Sequence, residues 1–232
     1  MASTVRVISF KICPFVQRVT AALEARSVPN SVEFINLKDK PQWFLDISPT
    51  GQVPVVVTAD TKTPLFESDA IVEYIDEKYG PLEKGLTLEQ KALDRAWSYQ
   101  AAKHYLVQCS TMRSSDDGIL KERSAKLSKA FEKAEKHLTA INPNGALFKD
   151  NEQLSNVDIA WLPLLHRAAI IKKHSKYDFL SDFPRVQKWQ DAMLKTGLAD
   201  KSVSEDFEEA FGGFYLDPEA THLGKTAAEL KA

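Results

Sequence analysis

Every segment that reads convincingly as a β-strand falls before residue 80 of this chain, and helical periodicity takes over after it. Segments 5–10, 31–36, 53–57 and 64–66 carry the β-branched and aromatic side chains that suit a pleated surface. Between them, 14–26 repeats apolar residues at helical spacing through Phe15, Val16, Val19, Ala22 and Leu23. Segment 41–47 is long enough for one or two helical turns behind Pro41, and 68–78 sets Ile71, Val72 and Ile75 inward. Pro29-Asn30, Gly51 and a turn at 60–63 punctuate these segments. The order β-α-β-α-β-β-α predicts a small mixed sheet covered by helices.

Gly80-Pro81 and Gly85 then bracket a short polar stretch that reads as a linker. Beyond it, 88–113, 120–139 and 182–195 are helical patterns, with a strong breaker at Asn142-Pro143-Asn144-Gly145. Ser155-Asn156-Val157-Asp158 opens a further helix: Ser155 can accept from the backbone three residues on, and Asp158 can reach back. Pro163 lies inside that helix and is expected to bend it. The expected fold class is α/β plus all-α, in which 1–80 form a sheet-and-helix domain, 81–85 a linker and 86–216 an all-helical domain. The small, polar segment 217–232 is expected to be a loosely attached tail.

Several function classes fall away on composition. Thirty basic residues face 32 acidic ones, for a net charge of −2, so no broad electrostatic footprint for nucleic acid exists. The only cysteines are Cys13 and Cys109, which excludes a disulfide framework and a metal site built mainly of thiolates. The five histidines form no H-E-x-x-H pattern, so no metal is expected, and no phosphate loop or dinucleotide fingerprint occurs. No apolar run approaches the roughly 18 residues of a membrane span. Residues 1–6 lack the regions of a secretory signal, so the expected location is cytoplasmic.

The most informative local feature is Cys13-Pro14, where a strand meets a helix. Pro14 suits the first helical position, which makes Cys13 the N-cap. The unpaired N–H groups of the first turn would then point at its sulfur and favour a thiolate by about 0.3–1 kcal/mol. On that basis the thiol is expected to fall from about 8.5 towards about 7. The competing reading is a buried cysteine acting as a small hydrophobe. Position 16 is Val, so no neighbouring thiol can resolve a disulfide here, and a thiol cycle would draw on glutathione, the usual external thiol of the cell. Pro54 allows two readings: a cis peptide that frees Val53 to pair with a passing backbone, or an edge-strand proline. Glu67-Ser68 also allows two: a helix N-terminus that receives a carboxylate, or capping alone. Cys109, within a long helical pattern, reads as packing.

Taken together, Cys13-Pro14-Phe15 with Arg18, Asn36-Leu37-Lys38 with Lys40-Pro41, Trp43-Phe44, Gly51 with Val53-Pro54-Val55, Glu67-Ser68 and the Ser155–Asp158 box resemble the glutathione transferase superfamily. The likeness is to its omega class and related cysteine-type enzymes, and it weakens beyond Leu216. It implies a thioredoxin-like N-terminal domain, a C-terminal helical domain and a homodimer. It implies that Cys13 is the nucleophile that forms a mixed disulfide with glutathione, a co-substrate. Phe15 would lie beside it and Lys40 would meet the glycyl or cysteinyl end. Val53, before Pro54, would pair with the cysteinyl backbone, and Glu67 with Ser68 would hold the γ-glutamyl group. Arg167, Phe207 and Tyr215 match the family's acceptor-site residues, against a plainer reading as a surface arginine and core aromatics. The implied activity is glutathione-dependent thiol transfer, including dehydroascorbate reduction and reductive deglutathionylation of a small-molecule or protein acceptor. The alternatives are a non-catalytic adaptor and a ligandin-type carrier of the same fold.

Overall fold

The computed structural model describes residues 4–58, 60, 63–149 and 153–231. Positions 61 and 62 of the expected turn at 60–63 lie outside them. Strands β1 (Val5–Ser9), β2 (Asn30–Phe34), β3 (Val55–Val57) and β4 (Leu65–Phe66) form one sheet in the order β2-β1-β3-β4. β2 runs parallel to β1, while β3 is antiparallel to both β1 and β4. Helices α1 (Pro14–Glu24), α2 (Gln42–Ile47) and α3 (Ser68–Tyr79) complete this part.

Alternation along β1 sends its side chains to two cores. Val5 and Val7 join Val16, Val19 and Leu23 of α1 and Ile71, Val72 and Ile75 of α3. Ile8 faces the other way, onto Val55, Ile35 and Phe44 of α2. The first of these cores continues without a break into the helical part. The polar join is equally direct: Arg26 and Asn156 both donate to Asp76 Oδ1, at 2.6 and 2.8 Å.

The helical part consists of α4 (Leu88–Met112), α5 (Asp117–Ile141), α6 (Asn156–Ser175), α7 (Pro184–Lys195), α8 (Leu198–Lys201), α9 (Phe207–Tyr215) and α10 (His222–Glu229). α6 is buried almost all round, as befits a central helix. It runs unbroken across Pro163 and opens on the anticipated Ser155–Asp158 capping box. Among the described residues no helix is long and apolar enough to cross a membrane.

The tail expected to be loose is folded. Thr221 caps α10, the His222 N–H donates to Ser114 O at 2.8 Å, and Leu223, Gly224 and Ala227 are buried. Gly224 allows the seat, because a Cβ there would lie 2.4 Å from the Asp217 carbonyl oxygen.

Candidate active site

Strand register assembles the site. Ile8 lies opposite Val55, and Val55 opposite Phe66. The end of β1, the start of β3 and the end of β4 therefore share one edge of the sheet. Cys13 follows the first, Val53-Pro54 precede the second, and Glu67-Ser68 follow the third. The Val53–Pro54 peptide is cis, and β3 is an interior strand, which removes the edge-strand reading of Pro54. Lys40 joins this edge by donating from Nζ to Gly51 O at 2.8 Å. Glu67 is exposed at the N-cap of α3 with φ 65°, and Ser68 is buried in the first turn.

Cys13 is the N-cap of α1, with Pro14 at the helix start. Its N–H donates to Phe10 O at 3.0 Å, which holds the entry loop closed. Burial pushes the thiol up to about 11, while the Val16 and Phe15 N–H groups and then the Arg167 guanidinium pull it down. The expected fall towards 7 is thus overturned. The helix-terminus donors and a cation are in place, but desolvation by the packed helices outweighs them. Thiolate rises about tenfold per pH unit below the pKa, so alkylation of Cys13 is expected to climb through pH 6–9 without a plateau. Iodoacetamide kinetics followed by peptide mass checks this, and a plateau near pH 7 would contradict it.

Arg167 is wholly buried rather than on the surface. Its guanidinium donates to the Gln17 side-chain oxygen, and at 3.1 Å to both Pro163 O and Ile12 O. Its Nε has no hydrogen-bond partner among the described residues, and none of the groups it bonds is a carboxylate. Gln17 also meets His166 Nδ1 at 2.9 Å, and burial drives that imidazole down to about 3, so it stays neutral. Among the described residues, no carboxylate hydrogen-bonds the cation that faces Cys13.

A cleft of about 530 Å³ opens where the sheet edge meets the helices. Cys13, Phe15 and Tyr215 line it, together with Leu37, Cys109 and Phe214. Arg167 and Phe207 stand behind this wall, with the guanidinium over the Phe207 ring at 5.4 Å. Tyr105 supports the floor through an edge-on contact with Phe15 at 5.0 Å. Cys109 packs against the main core, as its place in a helical pattern implied, and also borders the cleft. Its spacing of four from Tyr105, which puts both on one face of α4, was the available signal.

A family model described as the glutathione S-transferase N-terminal domain matches residues 12–78. The chain is 30% identical to glutathione S-transferase omega-1 of Sus scrofa over 225 residues, covering 95% of this chain and 90% of that protein. This chain belongs to the glutathione S-transferase family. Glutathione S-transferase DHAR2 of Arabidopsis thaliana is 34% identical over 164 residues, 71% of this chain and 70% of that one. The crystal structure of glutathione transferase Omega 3C from Trametes versicolor shares the fold, with a TM-score of 0.71 at 22% identity over 87% of this chain and 89% of that one. The transferase is thus a glutathione-dependent enzyme with a thioredoxin-like sheet region and a large helical region.

Proposed function

We propose that this transferase exchanges thiols and disulfides through a Cys13–glutathione mixed disulfide. The carrying observation is the placement of Cys13 at a helix N-terminus, between an open cleft and a buried cation that hydrogen-bonds no carboxylate among the described residues. The Cys13 thiolate attacks the glutathionyl sulfur of a mixed disulfide and releases the acceptor as a thiolate. A second glutathione then attacks the new disulfide, leaving oxidised glutathione and the Cys13 thiolate. A raised pKa makes thiolates scarcer but each one more nucleophilic, which offsets part of the loss.

In this reading Lys40 meets a glycyl or cysteinyl carbonyl group, the Val53 backbone pairs with the cysteinyl unit, and Glu67 with Ser68 holds the γ-glutamyl end. Phe15 lies beside the sulfur, and Arg167, Phe207 and Tyr215 belong to the acceptor side. Dehydroascorbate and S-glutathionyl acceptors suit the chemistry. The protein would work in the cytoplasm as a homodimer, with the exposed Leu88, Leu93 and Phe66 available to an interface.

The test is turnover of a small glutathione mixed disulfide and of dehydroascorbate, with ping-pong kinetics as the expected signature. The raised Cys13 thiol favours one other reading, a binding protein without turnover. Tight glutathione binding with no exchange at any pH would select it. Lys40→Ala is expected to weaken glutathione about tenfold, the scale of one charged hydrogen bond. Titration calorimetry checks this, and an unchanged dissociation constant would remove Lys40 from the site.

A further inference from the structure

We propose that Cys109 is a second working thiol, which resolves the Cys13–glutathione disulfide by forming a bond to Cys13 within the same chain. This deepens the thiol-exchange reading above and rests on it. Both cysteines are free and partly exposed, and both line the one cleft. Cys109 sits in the last turn of α4, one turn beyond Tyr105, whose ring packs on Phe15 two residues after Cys13. That face of α4 therefore looks at the start of α1.

Polar groups surround the two sulfurs as well as apolar ones. Cys109 and Tyr215 line the same wall of the cleft. The two cysteines lie within electrostatic reach of each other. Arg167, wholly buried and with no partner for its Nε among the described residues, interacts electrostatically with both of them. A cation that, among the described residues, hydrogen-bonds no carboxylate favours negative charge on a sulfur it faces as charge passes from one to the other.

The steps balance with glutathione disulfide as the oxidant. The Cys13 thiolate attacks it, forming the mixed disulfide and expelling one glutathione thiolate. The Cys109 thiolate then attacks the Cys13 sulfur, the bond to glutathione breaks, and a second glutathione thiolate leaves. Each departing thiolate takes up the proton lost by one protein thiol. Two protein thiols are oxidised and one glutathione disulfide is reduced. The bridge needs Cα atoms about 4.4–6.8 Å apart, so its yield also reports how closely the cleft walls approach.

The experiment treats the full-length protein and its Cys109→Ser and Cys109→Ala variants with glutathione disulfide, then reads intact mass and non-reducing peptide maps. The wild type is expected to show a peptide pair joined through Cys13 and Cys109 and to release twice as much glutathione per chain as either variant. The variants are expected to retain one glutathionyl group on Cys13. A wild type that keeps that adduct as long as the variants do would overturn this proposal and leave the thiol-exchange reading intact. If neither adduct nor bridge forms in any of the proteins, both readings fall together.

Discussion

Cys13→Ser lowers glutathione-dependent disulfide exchange by at least about three orders of magnitude, the scale seen when an enzyme loses its nucleophile. The hydroxyl is nearly isosteric, and its ionisation lies far above that of a thiol. Burial, which already pushes Cys13 up to about 11, would hold a serine neutral throughout the working range. Binding is expected to move much less. The groups assigned to glutathione sit around Val53, Glu67, Ser68 and Lys40, along the sheet edge rather than at the sulfur. A thousandfold loss of turnover with a dissociation constant changed less than about threefold is thus the expected pair of results. Steady-state kinetics and calorimetry on the same preparation measure both. Residual exchange near the wild-type rate would move the nucleophile elsewhere, and Cys109 is the only other thiol in the chain.

That Cys13 caps a helix was legible because strand residues, cysteine and proline occur in that order. The desolvation of its thiol was not legible, since the groups that crowd it come from the helices packed on α1, far along the chain. Arg167 shows the same limit. In α6 it reads as a charge on an amphipathic surface until neighbouring helices enclose it and Gln17, Ile12 O and Pro163 O replace its water. Local signals mark where an element begins, whereas electrostatic environment is a property of tertiary packing.

The sheet was readable for a comparable reason. Its strands are short, separated by clear breakers, and two-faced, so Val7 and Ile8 point to different cores. The last three helices were not. α8 has four residues, α9 carries Gly212-Gly213, and α10 buries little beyond Leu223, Gly224 and Ala227. Glycines and small residues weaken a helical pattern in sequence. In the fold, Gly224 is what lets α10 approach the Asp217 backbone.

Asp158→Ala is expected to destabilise the folded protein by about 3–5 kcal/mol, the range for emptying one side of a buried charged network. The carboxylate is wholly buried and takes four donors. Oδ1 accepts the Phe148 N–H at 3.0 Å and Trp189 Nε1 at 2.7 Å. Oδ2 accepts the Ser155 N–H at 2.8 Å and the Ser155 hydroxyl at 2.6 Å. Burial raises its pKa even against these donors, so the site costs solvation that only the complete set of bonds offsets. Alanine strands all of them at the point where the 148 loop, α6 and α7 meet. At about 2–4 °C per kcal/mol for a chain of this size, the midpoint should fall by roughly 6–20 °C. Asparagine separates charge from shape. Its oxygen can still accept from Phe148 and Trp189, but its amide nitrogen faces the Ser155 N–H, donor against donor. Asp158→Asn should therefore lie between wild type and alanine in urea unfolding. An asparagine variant as stable as wild type would show that the Ser155 half of the box contributes nothing.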